Sequence, residues 1–314
     1  MAKVEIFFYI CSMRILGTYQ NGNYTVTMYE DGTKIRENEL DNLTPAFAEN
    51  IDVCLTKRCK QMCPFCYEGC TKFGKHSDIM RQNWIRTLHP FTEIALNVND
   101  MDHPSLYALL AYLASRRVIA NITVNQKQFL ENMDTIREYS DRGFVHGIGV
   151  SVMDFNDKEL IEKALSFKNV VFHTINGLFS ESSYNAIRGK GAKVLVLGYK
   201  MVRRGVDFAM DNNIIPANMN WLKMNIRDIV LDKEGLDTVS FDNLAIEQLS
   251  LKDSIGDLVN WDEFYMGDDG KYTFYIDAVN GTFAKNSIIS ERENFPIEDK
   301  SVDEMFNFIR EKYK

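Results

Sequence analysis

The sequence IDVCLTKRCKQMCPFC, residues 51–66, joins a short apolar segment to three closely spaced cysteines. Apolar side chains alternate along residues 51–55, which is the period of a half-buried β-strand. The loop that follows carries Cys59, Cys63 and Cys66 in a C-x3-C-x2-C spacing. This stretch therefore predicts a strand whose carboxyl end leads directly into a group of thiols.

Downstream of this loop, short apolar segments alternate with amphipathic ones. The predicted strands are residues 51–55, 93–98, 121–124, 145–152, 170–175, 193–197 and 238–241. The predicted helices are residues 78–88, 104–116, 127–139, 157–167, 182–188 and 221–230. Strands that alternate with helices of this length are typical of parallel β/α units with right-handed crossovers. The pattern predicts an α/β fold whose sheet forms a barrel, open or closed, in preference to a two-layer sandwich.

The two flanks of this region have a different pattern. Upstream, residues 4–11 are apolar and predict a strand, and the alternating segment 24–29 lies between Asn-Gly and Asp-Gly turn signals that predict a hairpin. Downstream, residues 271–275 and 281–284 predict a second hairpin, and a helix over residues 301–313 begins at a suitable N-cap serine. We therefore predict an N-terminal β extension (1–46), a barrel (47–251) and a C-terminal hairpin and helix tail that packs on the barrel (252–314).

The bulk composition excludes several classes of protein. Hydrophobic residues make up 45% and aromatic residues 12% of the 314 residues, enough for one large core. The net charge of −8 argues against a general nucleic-acid surface, which relies on clustered Lys and Arg. The apolar segment at residues 4–11 is shorter than the roughly 18 residues that a membrane span needs, and no cleavage site follows it. We expect a cytoplasmic protein without a membrane partner.

The six cysteines are unevenly distributed, and five of them lie between Cys54 and Cys70. A disulfide framework is normally spread along the chain, so this clustering indicates a metal site. Three thiolates can hold three irons of a cubane cluster and leave the fourth iron open to a bidentate small molecule. The alternative is a zinc knuckle with Cys54, Cys70 or His76 as the fourth ligand, but it does not account for the surrounding β/α pattern. Cys54 and Cys11 lie in apolar strands and are predicted to be buried, whereas Cys70 is either a bystander or a functional thiol.

The cysteine spacing, the aromatic Phe65 before the third cysteine and the position of the loop after the first barrel strand resemble the radical S-adenosylmethionine superfamily. The resemblance covers about residues 50–251, and the stretches CYEGCTKFGKHSDI, VLVLGYK and FDNLAIEQ are similar to a subgroup of mostly uncharacterised bacterial and phage members. It implies a partial (β/α)6 TIM-like barrel with its active site at the carboxyl ends of the strands.

The resemblance also implies a [4Fe–4S] cluster held by Cys59, Cys63 and Cys66. The implied reaction is reductive cleavage of S-adenosylmethionine to a 5′-deoxyadenosyl radical, which then abstracts hydrogen from a substrate. The barrel must keep water away from that radical.

Further cofactor contacts are implied at the ends of the second, third and fourth strands. Where the family has a Gly-Gly-Glu-like segment, this chain has Asn97, Asn99 and Asp100 and lacks the glycines. These three side chains offer acceptors to an ammonium group, or they form only a polar turn. Asn125 and Ser151 end the next two strands and are either contacts to the ribose and carboxylate or simple caps.

The last strands supply a second group of candidates. Gly198 and Lys200 resemble the region where the family backbone approaches adenine, because glycine permits close approach. Lys200, with the neighbouring Arg203 and Arg204, either binds a carboxylate or phosphate or begins a solvated basic helix.

Three more polar residues face the same mouth if the strand register holds. His173 and Asn176 follow the fifth strand, and His173 is either a substrate contact or a core group. Asp242 follows the last strand and either points into the mouth or caps the next helix.

No cysteine follows Cys70, so the auxiliary clusters of a cysteine-rich C-terminal extension are not expected. The resemblance implies a single-cluster enzyme that acts on a small molecule, a nucleotide or a protein residue and receives electrons from a flavodoxin- or ferredoxin-like donor. Two other classes remain open: a zinc-stabilised binding module without catalysis, and a degenerate scaffold that keeps the cluster and has lost S-adenosylmethionine.

Overall fold

The structure is a computed structural model that describes residues 13–39, 42–265 and 267–314. The strand predicted over residues 4–11, with Cys11, lies outside the described residues. None of the helices in the described part of the chain is both long and apolar enough to cross a membrane.

Thirteen strands form two sheets in the described residues. They are β1 Ile15–Asn21, β2 Tyr24–Tyr29, β3 Lys34–Glu37, β4 Asn50–Cys54, β5 Glu93–Asn97, β6 Ile119–Asn125, β7 Gly147–Ser151, β8 Val170–Ile175, β9 Lys193–Leu197, β10 Thr238–Phe241, β11 Thr273–Asp277, β12 Thr282–Ala284 and β13 Phe295–Pro296. Strands β1, β2 and β3 form a small antiparallel sheet. The large sheet has ten strands in the order β10-β9-β8-β7-β6-β5-β4-β11-β12-β13.

Eleven α-helices connect and cover these strands within the described residues. They are α1 Leu106–Ser115, α2 Gln126–Glu131, α3 Met133–Asp141, α4 Lys158–Leu165, α5 Glu181–Ile187, α6 Arg204–Asp211, α7 Ile214–Leu231, α8 Asn243–Leu249, α9 Leu251–Ile255, α10 Trp261–Phe264 and α11 Val302–Lys312.

The large sheet is parallel from β10 through β4 to β11, and β12 pairs antiparallel with β11 on one side and β13 on the other. Its strands bury alternate side chains: in β5, Ile94 and Leu96 are buried in the main apolar core, whereas Glu93, Ala95 and Asn97 are partly exposed on the other face. The mixed α/β fold with a large, mostly parallel sheet is therefore confirmed. All seven predicted barrel strands form within two residues of their expected bounds.

The helix predicted over residues 221–230 begins at Ile214, and two other predicted helices are interrupted. Residues 78–88 form two short 3-10 helices, Ile79–Arg81 and Asn83–Thr87, and not one α-helix. The break falls at Gln82, which is extended because its side chain donates to the Ala278 carbonyl at 2.7 Å and accepts from the Trp84 indole at 2.6 Å. The predicted helix over residues 127–139 is likewise interrupted, where Asn132 leaves the helical conformation between α2 and α3.

The predicted C-terminal hairpin forms, but its first strand is part of the large sheet. Strand β11 pairs in parallel with β4, so that Asp277 lies beside Cys54. The cysteine loop therefore begins where β4 lies beside β11, a strand from the C-terminal part of the chain.

The small N-terminal sheet is joined to the large sheet through a buried carboxylate. Glu49 is 2% exposed, and Arg36 donates to its two oxygens at 2.9 and 2.6 Å. The Tyr24 hydroxyl donates to the same carboxylate at 2.5 Å. Burial alone would raise the pKa of Glu49, but hydrogen bonds and charge from Arg36 hold that pKa below its usual range.

We expect Glu49→Ala to lower the free energy of unfolding by about 3–5 kcal/mol, because the substitution leaves Arg36 buried without its partner. Urea unfolding at neutral pH measures this change, with Glu37→Ala, at an exposed carboxylate on β3, as the matched control. A loss for Glu49→Ala no larger than that for the control would show that the carboxylate does not hold the small sheet.

Candidate cofactor site at the cysteine loop

The cysteine loop folds back on itself as a narrow hairpin. The Lys57 amide donates to the Lys75 carbonyl at 2.9 Å, and the Cys59 amide donates to the Thr71 carbonyl at 2.9 Å. A Cβ atom at Gly74 would lie 1.9 Å from the Lys57 carbonyl oxygen, so only glycine allows the two limbs to lie this close. The loop thus has a defined backbone on both sides of its three cysteines.

A buried ion pair connects the two limbs to the end of the chain. Lys57 Nζ lies 2.6 Å from Glu68 Oε2 and 3.1 Å from Asp277 Oδ2, and both carboxylates are buried. The Tyr275 hydroxyl donates to Glu68 Oε1 at 3.3 Å. Burial would lower the pKa of Lys57, but the two carboxylates together raise it above its ordinary value. Lys57 is therefore a fixed positive charge behind the cysteines.

Two arginines hold the loop from the other side. Arg204 donates from Nε to the Cys63 carbonyl at 3.1 Å and from Nη2 to the Cys70 carbonyl at 3.0 Å. Arg203 donates to the Glu68 carbonyl at 3.1 Å and pairs with Glu291 at 2.7 Å. Arg204 is the first residue of α6 and Arg203 is its N-cap, and both guanidinium groups bind backbone carbonyls of the cysteine loop.

A cavity of about 170 Å³ lies against this loop at the carboxyl ends of the parallel strands. Its wall includes the three motif cysteines and most of the polar residues expected to contact a cofactor, namely Cys59, Cys63, Phe65, Cys66, Asn97, Asn99, Asn125, Ser151 and His173. Cys70 and Arg204 also line it. The structure therefore brings together residues from five separate strand ends and loops.

The cysteine side chains occupy different environments in this wall. Cys59 is buried, and Asn125 Nδ2 donates to its sulfur at 3.8 Å. Burial raises the pKa of Cys63 to about 11. A hydrogen bond from the Cys70 thiol lowers the pKa of Cys66 and raises that of Cys70 itself.

Within the described ranges, no three His, Cys, Asp or Glu side chains are arranged to ligate one metal ion. The chemistry of the donor set nevertheless fits a cluster, because three thiols from one loop face a single cavity. Of the other candidate zinc ligands, Cys70 lines the cavity, whereas Cys54 and His76 are not part of its wall. The Cys54 thiol donates to Glu68 at 3.6 Å, and His76 Nδ1 lies 2.9 Å from the Thr56 hydroxyl.

The polar residues after β5 divide into two groups. Asn97 accepts from the Leu55 amide at 2.6 Å, and Asn99 donates to the Cys70 sulfur at 3.6 Å, so both lie at the cavity. Asp100 is 2% exposed, lies outside the cavity wall and pairs with Arg58 at 3.0 Å. Its carboxylate therefore holds Arg58, the residue that precedes Cys59.

Of the candidates after β9 and β10, Arg204 lines this cavity, whereas Gly198, Lys200 and Asp242 lie outside its wall. The Gly198 amide donates to Asp242 Oδ1 at 2.8 Å, and Lys200 Nζ bonds the Ser287 hydroxyl at 2.9 Å and lies over the Tyr67 ring. Asp242 also accepts from the Ala245 amide and is the N-cap of α8. This is the second of its two predicted roles, the capping of the next helix. Asn176 is buried and donates to Gln248 at 3.0 Å.

His173 lies between the cysteine cavity and a second cavity. The second cavity, about 310 Å³, lies toward the amino ends of the strands, and Thr123 and His173 line both. A Cβ atom at Gly149 would lie 2.4 Å from the imidazole, so glycine makes room for the ring. Neither ring nitrogen has a hydrogen-bond partner among the described residues. Burial lowers the pKa of His173 to about 4, so the ring is neutral at pH 7.

Met153 is a cavity residue that the sequence pattern did not indicate. Its sulfur lies 3.8 Å from Cys63 Sγ, and its amide donates to the Gln126 side chain at 2.9 Å. The available signal was its position two residues beyond Ser151, because the segment after a parallel strand reaches the same edge of the sheet.

The whole structure is similar to the crystal structure of Streptococcus suis SuiB bound to S-adenosylmethionine. The TM-score is 0.58 at 12% sequence identity, and the match covers 94% of this chain and 89% of the SuiB chain. At this identity the likeness shows a shared fold. The sequence matches no protein-family model and has no significant similarity to a curated protein.

We expect Lys57→Met to lower the free energy of unfolding by about 3–5 kcal/mol, because it leaves Glu68 and Asp277 buried without a counter-charge. The double variant Lys57→Met/Glu68→Gln should recover part of this loss, since it removes one of the two carboxylates. Lys60→Met, at an exposed pair with Asp102, is the control and should cost less than about 1 kcal/mol. Equal losses for the two single lysine variants in urea unfolding would contradict the buried pair.

We expect the free energy of unfolding to fall as the pH is lowered from 6.5 to 4, partly because of His173. The folded-state pKa near 4 lies below the ordinary value of 6.5, so the unfolded chain binds more protons in this range. In His173→Asn, the difference in the free energy of unfolding between pH 6.5 and pH 4 should be smaller by on the order of 3 kcal/mol. Urea unfolding at several pH values tests this, and parallel curves for both proteins would show that the imidazole is not shielded.

Proposed function

We propose that this protein is a radical S-adenosylmethionine enzyme in which Cys59, Cys63 and Cys66 hold a [4Fe–4S] cluster. The proposal rests on one observation: these three cysteines line a single cavity at the carboxyl edge of a parallel sheet. The fold shared with a protein crystallised with S-adenosylmethionine supports it. When bound, the cluster would supply the electron that cleaves S-adenosylmethionine to a 5′-deoxyadenosyl radical, which abstracts hydrogen from a small molecule, a nucleotide or a protein residue.

We further propose that the parallel strands form a partial (β/α)6 TIM-like barrel. The cavity wall includes Asn97 of β5, Thr123 of β6, Ser151 of β7, His173 of β8 and Leu197 of β9. Five successive strands can line one cavity of about 170 Å³ only if the sheet curves around it. The carboxyl end of such a barrel is where active sites are normally built.

The chain's own residues give the cavity two properties. Amide groups of Asn99 and Asn125 donate to cysteine sulfurs, which stabilises negative charge on them. Phe65 packs edge-on against Phe208 with ring centroids 5.6 Å apart and lines the cavity with apolar surface. That surface would keep water from a reactive species formed there.

Within the set of expected cofactor contacts, the proposal assigns direct contact to the cavity-lining members. These are Phe65, Asn97, Asn99, Asn125 and Ser151. Asp100 would act indirectly, through Arg58 and the start of the cysteine loop. Gly198 and Lys200 remain predictions that rest on the sequence resemblance. We also keep the proposal of a cytoplasmic protein, because a reducing compartment protects thiols of this kind.

We expect anaerobically reconstituted protein to contain about four irons and four sulfides per chain, the content of one [4Fe–4S] cluster. With dithionite and S-adenosylmethionine it should form 5′-deoxyadenosine. Iron and sulfide assays and product chromatography measure these results. The triple variant Cys59→Ala/Cys63→Ala/Cys66→Ala should lose both cluster and product.

Cys54→Ala is the matched control, because this cysteine is buried on β4 and lies outside the cavity wall. It should keep the iron content and the product. One zinc per chain without 5′-deoxyadenosine would overturn the proposal and favour the zinc-stabilised module. A stable cluster without cleavage would favour the degenerate scaffold.

A further inference from the structure

We propose that the second cavity, of about 310 Å³ toward the amino ends of the strands, is a binding site for a small organic carboxylate. It is separate from the cysteine cavity, although Thr123 and His173 line both. The site does not depend on the proposed function, because none of the three motif cysteines lines it.

The small N-terminal sheet closes one side of this cavity. Its β2–β3 turn, residues 29–32, forms part of the wall. The Asn169 side chain, in the loop before β8, donates to the Glu30 carbonyl at 2.8 Å. Lys34 of β3 pairs with Glu93 of β5 at 2.6 Å. Two separate contacts therefore fix the small sheet against the large one and bound the space between them.

The carboxylates in the wall already have partners within the protein. Glu30 pairs with Lys168 at 2.8 Å, and Glu93 has the ion pair with β3 described above. Asp31 accepts from the Thr33 amide at 2.9 Å and from the Thr33 hydroxyl at 3.0 Å. These acidic groups are therefore occupied by the chain itself, and a cationic ligand would have to displace those partners.

The hydrogen-bond donors in the wall, in contrast, are left for a ligand. Lys193 is half-buried and has neither an ion pair nor a side-chain hydrogen bond with a described residue. The His146 and His173 rings also lack hydrogen-bond partners in the described part of the chain, and burial lowers the pKa of both. A neutral imidazole still has one N–H to donate. The cavity therefore offers one unpaired ammonium group and two neutral donors.

The size and the apolar part of the wall define the rest of the ligand. Leu16, Ile148, Val171 and Leu195 provide surface for a carbon skeleton. An apolar cavity of about 150 Å³ holds one benzene molecule, so this cavity has room for roughly ten to twelve non-hydrogen atoms. A single ammonium group matches a carboxylate, which carries one negative charge, better than a phosphate monoester, which carries close to two. The occupant is therefore a small monocarboxylate with an apolar body.

The binding test uses the full chain and three acid and amide pairs as probes. The pairs are benzoate with benzamide, phenylacetate with phenylacetamide, and hexanoate with hexanamide, so each pair keeps its shape and differs in charge. In isothermal titration calorimetry we expect at least one acid to bind with a Kd at least about tenfold lower than that of its amide, because only the acid pairs with Lys193. Absence of binding by all three acids, or equal affinity for acid and amide in every pair, would overturn the proposal.

Charge variants test the role of Lys193 with the acid that binds best. Lys193→Met should weaken its binding at least about tenfold, whereas Lys193→Arg keeps the positive charge and should change the Kd less than about threefold. Lys190→Met is the matched control, because this lysine is exposed and lies outside the cavity wall. It should change the Kd less than about twofold.

Volume variants test the location of the site. Val171 lines the second cavity and not the cysteine cavity. Val171→Phe fills the space and should abolish binding of the acid, whereas Val171→Ala keeps the space open and should retain it. Thermal unfolding followed by circular dichroism confirms that each variant is folded before titration. Wild-type affinity in both Lys193→Met and Val171→Phe would show that the acid binds elsewhere and would overturn the proposal, whatever the outcome of the cluster assays.

Discussion

The buried ion pair of Lys57 with Glu68 and Asp277 is the constraint on which the rest of the site depends. Lys57 begins the cysteine loop, Glu68 ends it, and Asp277 lies on β11 near the end of the chain. An ion pair taken out of water is stable only when every charge has its partner. The arrangement therefore makes the loop, strand β4 and the C-terminal hairpin one unit, and a change in any of them reaches the thiols.

Space inside the large sheet depends on two glycines of β7. A side chain at Gly149 would collide with His173, and a side chain at Gly147 would lie 2.8 Å from the Asn121 amide oxygen. The missing side chains leave room for Asn121 and His173 from the neighbouring strands. The neutral His173 imidazole, which has no hydrogen-bond partner among the described residues, lines both cavities.

The fold and the chemistry of this protein are specified by different parts of the chain. Alternating apolar strands and helices build a parallel sheet whatever the detailed sequence, which explains how 94% of the chain matches SuiB at 12% identity. Activity resides in the side chains placed on that sheet and not in the sheet itself. Here Asn97 accepts from the Leu55 amide just before the cysteine loop, and Asn99 donates to the Cys70 sulfur at the end of that loop.

The sequence by itself determined which segments become strands and helices, the thiol motif and the loop that carries it, because apolar periodicity and cysteine spacing are local properties. Only the tertiary structure decided what depends on distant residues. In the structure, Arg204 donates to the Cys63 and Cys70 carbonyls, Asp100 pairs with Arg58, and β11 lies beside β4. These contacts form because each buried charge and backbone polar group needs a partner. A local sequence pattern does not show which distant residue will be that partner.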